Sequence, residues 1–232
     1  MSGLKILALD ASTEALSVAL VDETGAREFE RFEIAPQAHA RRLLPLAEEL
    51  LASAGLALAD MDGFAFGRGP GAFTGLRIAA GLVQGLAGGL DRPVVPVSTL
   101  SALAARCQRD ETVDFVRVVQ DARMGEVYVG DFRRGDDGAP ETLGPESVIR
   151  PADLDAAAET DDCIRAGNGW PVVAEARALD ADVLAPRHTW PHALDIARLA
   201  SPLLARGAGV PAAQALPVYV RDDVARKPGG AR

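Results

Sequence analysis

Apolar residues dominate the run over residues 4–9, the turn formers Asp10-Ala11-Ser12-Thr13 follow, and residues 16–21 alternate well enough for a second strand. This pattern predicts a β-hairpin at the start of the chain. A third strand is expected over residues 27–34, after the turn at Glu23-Thr24-Gly25. There Phe29, Phe32 and Ile34 alternate with charges, as on a sheet edge or a half-exposed strand. Over residues 41–54 the period changes. Leu43, Leu44, Ala47, Leu50 and Leu51 recur at helical spacing, and Gly55 supplies a stop. Residues 61–66 return to strand, 74–90 read as a long helix, 93–97 as a short strand and 99–109 as a helix. The first part of the chain is therefore β-β-β-α-β-α-β-α.

The second part begins in the same way. Residues 115–120 form a strand, Asp121-Ala122-Arg123-Met124-Gly125 a turn, and 126–132 an alternating strand. Asp10 and Asp121 fall at equivalent places, each closing the first strand of a hairpin, which predicts an internal structural duplication. Beyond it the pattern gives a solvated loop at 136–140, a short acidic helix at 152–159, a strand at 163–169 ending in Gly167-Asn168-Gly169, and helices at 172–179 and 191–206. In the last of these, Leu194, Ala197, Leu199, Leu203 and Leu204 are available for burial. Residues 216–221 read as a docked extended segment and 227–232 as frayed.

Between the strand at 61–66 and the helix at 74–90 lies Gly67-Arg68-Gly69-Pro70-Gly71-Ala72-Phe73-Thr74-Gly75. Alternate glycines permit positive φ and uncover backbone N–H groups, and the helix start directs its unpaired amides to the same place. Such a turn suits an anion, or a close backbone contact. Two lobes that each open on an Asp-turn hairpin are built like the actin-like ATPases and sugar kinases, in which each turn grips part of the ATP phosphates. Here the second turn, Asp121 to Met124, has no glycine for a close phosphate approach, and the second lobe is short. Half of an ATP site is missing from the pattern.

Composition narrows the classes further. A chain of 232 residues, 48% hydrophobic and 25% charged, supports a buried core. A formal net charge of −9 opposes an autonomous grip on nucleic acid, so any RNA contact is expected to be indirect; a local basic patch would draw on Arg221, Arg226 and Lys227. Two distant cysteines, Cys107 and Cys163, make neither a metal cluster nor a disulfide framework. With no signal-peptide pattern and no apolar run of membrane-spanning length, the expected location is cytoplasmic, without membrane attachment.

Three separated segments carry a family resemblance: residues 6–19 (Ile-Leu-Ala-Leu-Asp-Ala-Ser-Thr-Glu-Ala-Leu-Ser-Val-Ala), residues 67–78 (Gly-Arg-Gly-Pro-Gly-Ala-Phe-Thr-Gly-Leu-Arg-Ile) and residues 121–128 (Asp-Ala-Arg-Met-Gly-Glu-Val-Tyr). Together with Pro217-Val218-Tyr219-Val220-Arg221 they resemble the bacterial TsaB family, a subunit of the tRNA threonylcarbamoyladenosine synthesis machinery. The resemblance implies an α/β protein of two-lobed actin-like (ASKHA, ribonuclease H-like) fold with a reduced second lobe. Its expected division is a first lobe over 1–104 completed by 193–223, a smaller lobe over 105–192 and a flexible tail over 224–232. It also implies a non-catalytic partner of TsaD, which transfers a threonylcarbamoyl group to the adenosine beside the anticodon of ANN-decoding tRNAs. TsaD uses a metal held by two histidines just after the strand matching 93–97. This chain has Val97-Ser98-Thr99-Leu100-Ser101-Ala102-Leu103 there, without histidine. No catalytic residue, resident metal or cofactor is expected, and the implied partners are a TsaD-type transferase, a TsaE-type ATPase and, without TsaD, a second copy.

The remaining chemistry is weighed against that expectation. Asp10, Ser12, Gly69 and Gly71 are vestigial phosphate-gripping candidates, although Asp and Ser at a turn also bond their own backbone. His188 and His192 straddle a helix start at Pro191, and His39 lies on the approach to a helix. The alternatives are an active actin-like phosphotransferase and a glycoprotease-like peptidase; no Gly-x-Ser-x-Gly turn supports the latter. The helix at 74–90 is rich in glycine, which disfavours an isolated helix. A strip of Leu76, Ile78, Ala79, Leu82, Val83 and Leu86, shared with Leu43 and Leu50 of the preceding helix, is the expected partner interface.

Overall fold

A computed structural model of the chain describes residues 3–24, 26–111, 113–155 and 163–220. The expected tail at 224–232, the basic patch at Arg221, Arg226 and Lys227, and much of the expected helix at 152–159 lie outside the described residues. Strands β1 (Lys5–Asp10), β2 (Ala15–Asp22) and β3 (Arg27–Ile34) form an antiparallel meander. Helix α1 (His39–Ala54) leads to β4 (Gly63–Gly69), parallel to β1. Helix α2 (Phe73–Leu90) then leads to β5 (Val94–Ser98), parallel to β4. The sheet order is β3-β2-β1-β4-β5.

Both faces of this sheet are covered, which is why β1 reads as an apolar run. Leu7, Leu9, Leu16, Val18 and Leu20 point to α1 and α2. Ile6, Ala8, Ala19 and Val21 point the other way, to α5 (Ala193–Ala205), where Ile196, Ala197 and Ala200 are buried. Strand β3 is the edge, and its charges hold neighbouring helices: Glu33 pairs with Arg42 of α1, Glu28 with Arg198 of α5, and Glu30 with His192 at the α5 start.

After α3 (Thr99–Asp110), the second sheet repeats the plan of the first. Strands β6 (Phe115–Arg123) and β7 (Glu126–Arg134) form a hairpin, the short β8 (Pro140–Thr142) and β9 (Ser147–Ile149) both pair with β7, and β10 (Ile164–Ala166) lies parallel to β6. Each lobe thus has a hairpin whose first strand pairs in parallel with a later strand, and that later strand runs through a Gly-x-Gly turn into a helix. The second such helix is α4 (Trp170–Arg177), which starts two residues earlier than the pattern suggested because Pro171 fits a first helical turn.

Helix α3 is the wedge between the sheets. Its Leu100, Leu103, Ala104 and Cys107 pack on Val116, Val118 and Phe132 of the second sheet, while Ala102 packs on the first. The chain then returns to the first sheet: Val210 bridges Val94, Ala215 is buried beside α2, and the Val218 N–H donates to the Arg68 carbonyl at 2.8 Å. The segment near residue 216 is docked, as expected. No described helix is long and apolar enough to cross a membrane.

Candidate functional site

The two hairpin turns meet across the cleft between the lobes. In the first, the Ser12 N–H and the Ser12 hydroxyl both donate to Asp10 Oδ1, at 3.0 and 2.8 Å. Asp10 Oδ2 is buried and has no partner among the described residues. It lies directly over Gly67, where a Cβ would sit 2.1 Å from that oxygen. The same turn explains the next glycines: a Cβ at Gly71 would lie 2.5 Å from the Ser12 carbonyl oxygen, and one at Gly75 1.8 Å from that of Ala11. The Ala72 N–H donates to the Ser12 carbonyl at 2.7 Å. The glycine turn therefore holds its own hairpin against the start of α2. Of the vestigial candidates, Asp10, Ser12 and Gly71 come together, while Gly69, at φ +106, faces the Val218 carbonyl.

Burial pushes the Asp10 carboxyl from its ordinary 3.8 up to about 6; the Ser12 bonds and the charges of His39 and His192 pull only partly the other way. Because the folded-state value is raised, the folded chain binds the proton more tightly, and the stability from Asp10 is full below pH 3.8 and lost as pH rises through about 6. Compared with Asp10→Asn, the parent chain should lose up to about 3 kcal/mol of relative stability between pH 4 and pH 7. Urea unfolding of both proteins across that range measures this; a constant difference would contradict it.

The second turn is built differently. Arg123, Met124 and Gly125 all have positive φ, at 63, 57 and 74. The Arg123 N–H donates to Asp121 Oδ1 at 2.7 Å, and its guanidinium pairs with Asp121 and, across the cleft, with Glu14. The close approach that this turn lacks is supplied by the second Gly-x-Gly. A Cβ at Gly167 would lie 2.1 Å from the Val119 carbonyl oxygen, and Asn168 Oδ1 accepts from the Asp121 N–H at 3.0 Å. Sequence reasoning missed this counterpart of Gly67 to Gly71, although a strand followed by Gly-x-Gly and a helix occurs twice in the chain.

Between the turns lies a cavity of about 200 Å³, lined among others by Ser12, Thr13, Gly71, Gln120, Asn168 and Tyr219. That is below the roughly 300 Å³ at which drug-sized ligand sites begin. A larger groove of about 880 Å³ runs elsewhere, between α3, α5 and the 137–140 loop. Of its charged residues, Arg109 and Arg198 pair with Asp195, and Arg68, Asp137 and Arg206 line it as well.

The histidines are dispersed. His39 Nε2 bonds the Thr13 carbonyl at 2.8 Å, His188 pairs with Asp110, and His192 stacks on Phe32 and bonds Glu30. The Ser12 hydroxyl donates its hydrogen bond to Asp10 and His39 Nε2 bonds the Thr13 carbonyl, so Ser12 and His39 are not hydrogen-bonded as a nucleophile and base. Among the described residues no group of three His, Cys, Asp or Glu is placed to hold a metal. At the start of α3, Thr99, Leu100, Ala102 and Leu103 are buried in the packing between the sheets.

The expected partner strip needs correction. Leu43, Leu50, Leu76, Ala79 and Val83 are buried within the chain itself, because residues 76, 79, 80, 83 and 87 share the buried side of α2. Ile78, Leu82 and Leu86 flank that side and are half-buried. The outward face carries Gly81, Gly85 and Gly89, and a Cβ at any of the three would meet nothing within 4 Å.

Residues 32–200 match the family model described as TsaD, tRNA N6-adenosine threonylcarbamoyltransferase. The chain is 36% identical to the tRNA threonylcarbamoyladenosine biosynthesis protein TsaB of Escherichia coli (strain K12), over 97% of each chain. It is likewise 36% identical to the protein of that name from Haemophilus influenzae, over 98% of each. Among solved structures it resembles an uncharacterized Pseudomonas aeruginosa protein described as similar to peptidase YEAZ (TM-score 0.82, 45% identity, 94% of this chain and 100% of that one). YeaZ from Pseudomonas aeruginosa is similar at a TM-score of 0.79 and 45% identity, over 93% of this chain and 99% of that one.

Proposed function

The chain belongs to the TsaB family, and from that premise we propose that it is a non-catalytic subunit of the tRNA threonylcarbamoyladenosine synthesis complex. It supports a TsaD-type transferase in moving the threonylcarbamoyl group to the adenosine beside the anticodon of ANN-decoding tRNAs, and a TsaE-type ATPase joins the assembly. The observation that carries the reading is the outer face of α2. Each glycine inside a helix costs about 1 kcal/mol relative to alanine, and at positions 81, 85 and 89 nothing within the chain requires the missing Cβ. A smooth surface with leucines at its border lets a second helix approach closely. Without a TsaD-type partner, the same face pairs two copies about a two-fold axis.

A non-catalytic role is supported by the start of α3, where the resemblance places TsaD's metal-holding histidines and this chain has Ser98, Thr99, Leu100 and Ser101. The lobe division at 1–104 with 193–223, and 105–192, belongs to the same proposal. The test is reconstitution of tRNA modification from TsaD- and TsaE-type proteins, with and without this chain. Omission should slow threonylcarbamoyl transfer by about tenfold or more. An equal rate without it would refute the subunit role.

A further inference from the structure

Gln120, on β6 immediately before Asp121, is 1% exposed, and neither its Oε1 nor its Nε2 has a hydrogen-bond partner among the described residues. A buried carboxamide left in that condition costs free energy that a leucine of similar size would not. Gln120 lines the interlobe cavity, together with Asn168 and the Ser12-Thr13 turn. At the cavity's rim the rings of Phe73 and Tyr219 lie 5.3 Å apart, and each is 40% exposed. The Arg77 guanidinium stacks 3.8 Å from the Phe73 centroid and donates to the Tyr219 hydroxyl. Among the described residues Arg123 is the one cation that lines the cavity, and it is already paired with Glu14 and Asp121.

We propose that this cleft binds a flat, uncharged ring of nucleobase size, held by its edge on Gln120 and by stacking at Phe73 and Tyr219. Three features of the site select that chemistry. A carboxamide offers an acceptor beside a donor, so its complement is an edge with a donor beside an acceptor, as on adenine or uracil. The cavity of about 200 Å³ holds several waters, at about 30 Å³ each, or one small ring system; it does not hold a nucleoside triphosphate. Of the two cations at its mouth among the described residues, Arg123 is paired with Glu14 and Asp121 and Arg77 is held on the Phe73 ring and the Tyr219 hydroxyl, so neither is turned to a phosphate. This site stands apart from the assembly role, whose glycine face begins a turn beyond Arg77.

The test is a titration of the ¹⁵N-labelled full chain with adenine and with uracil, followed by NMR, with unsubstituted purine as the probe lacking the exocyclic donor. Saturable shifts of the Gln120 side-chain amide are expected with at least one of the two bases, with purine binding about tenfold more weakly than adenine if adenine is the binder. Gln120→Leu should reduce the affinity for the binding base by about tenfold, with thermal unfolding reporting that the variant folds. If that variant does not fold, Tyr219→Ala, at an exposed ring, decides: it should weaken the same base severalfold through lost stacking. No saturable shift with either base, or an affinity unchanged in the folded Gln120→Leu or in Tyr219→Ala, overturns the proposal.

Discussion

Replacing Leu82 by glutamate should leave the isolated chain folded and weaken its association with a TsaD-type partner by about 4 kcal/mol, roughly a thousandfold in Kd. Leu82 is half-buried at the border of the outer face of α2, so a charge there can reach water in the free chain. In a helix-to-helix contact it would be buried and unpaired. Gly85→Ala provides the complementary sign: the isolated chain gains up to about 1 kcal/mol from helix propensity, while the added methyl holds the partner helix away. A variant that raises the unfolding temperature and weakens assembly cannot be explained by general damage to the fold. Val83 is the wrong position for this experiment, since it is fully buried and Val83→Asp would unfold the chain itself. Sedimentation and calorimetric titration with the partner, beside thermal unfolding of the free chain, separate the effects. Unchanged association of Leu82→Glu would remove the α2 face as the contact.

The distinction between Leu82 and Val83 marks where the sequence could be read and where it could not. Strand and helix positions followed from period, whereas the covering of both faces of the first sheet became visible only in the fold. The orientation of α2 did not follow from period either, because apart from Arg77 and Gln84 that helix is apolar or small around most of its circumference, and its pattern does not single out the face that meets β1 and β4. Leu43 and Leu50 were misplaced for a related reason: a helix packed on a sheet buries its best leucines first. The decisive quantity was the space around each glycine, a three-dimensional property that separates Gly75, pressed on Ala11, from Gly81 and Gly85, which touch nothing. The duplicated Asp-turn hairpins were legible, whereas the pairing of Gly67 with Gly167 needed the parallel registers of β4 on β1 and of β10 on β6. Gln120 was invisible in the sequence, since a glutamine in an apolar strand carries no sign of whether its amide is satisfied.

That difference between glycines makes a second strong expectation: Gly75→Val should destabilise the chain by about 4 kcal/mol or more, while Gly81→Val should be close to neutral. At Gly75 the new Cβ would fall 1.8 Å from the Ala11 carbonyl oxygen and 3.0 Å from its carbon, so either the hairpin turn or the helix start must move. Neither is free to do so. The hairpin turn is fixed by the Ser12 bonds to Asp10 and by the Ala72 bond to Ser12. The helix is fixed by Ala79, Ala80 and Val83 in the core beneath it. Denaturant unfolding measures the loss, and the midpoint should fall with little change in slope, as for a defect of the folded state. Tolerance of Gly75→Val would mean that the first hairpin does not set the position of α2. The glycine turn would then lose its main physical role, which is to hold the Asp10 hairpin so tightly against the start of α2 that the helix has one direction in which to present Gly81 and Gly85.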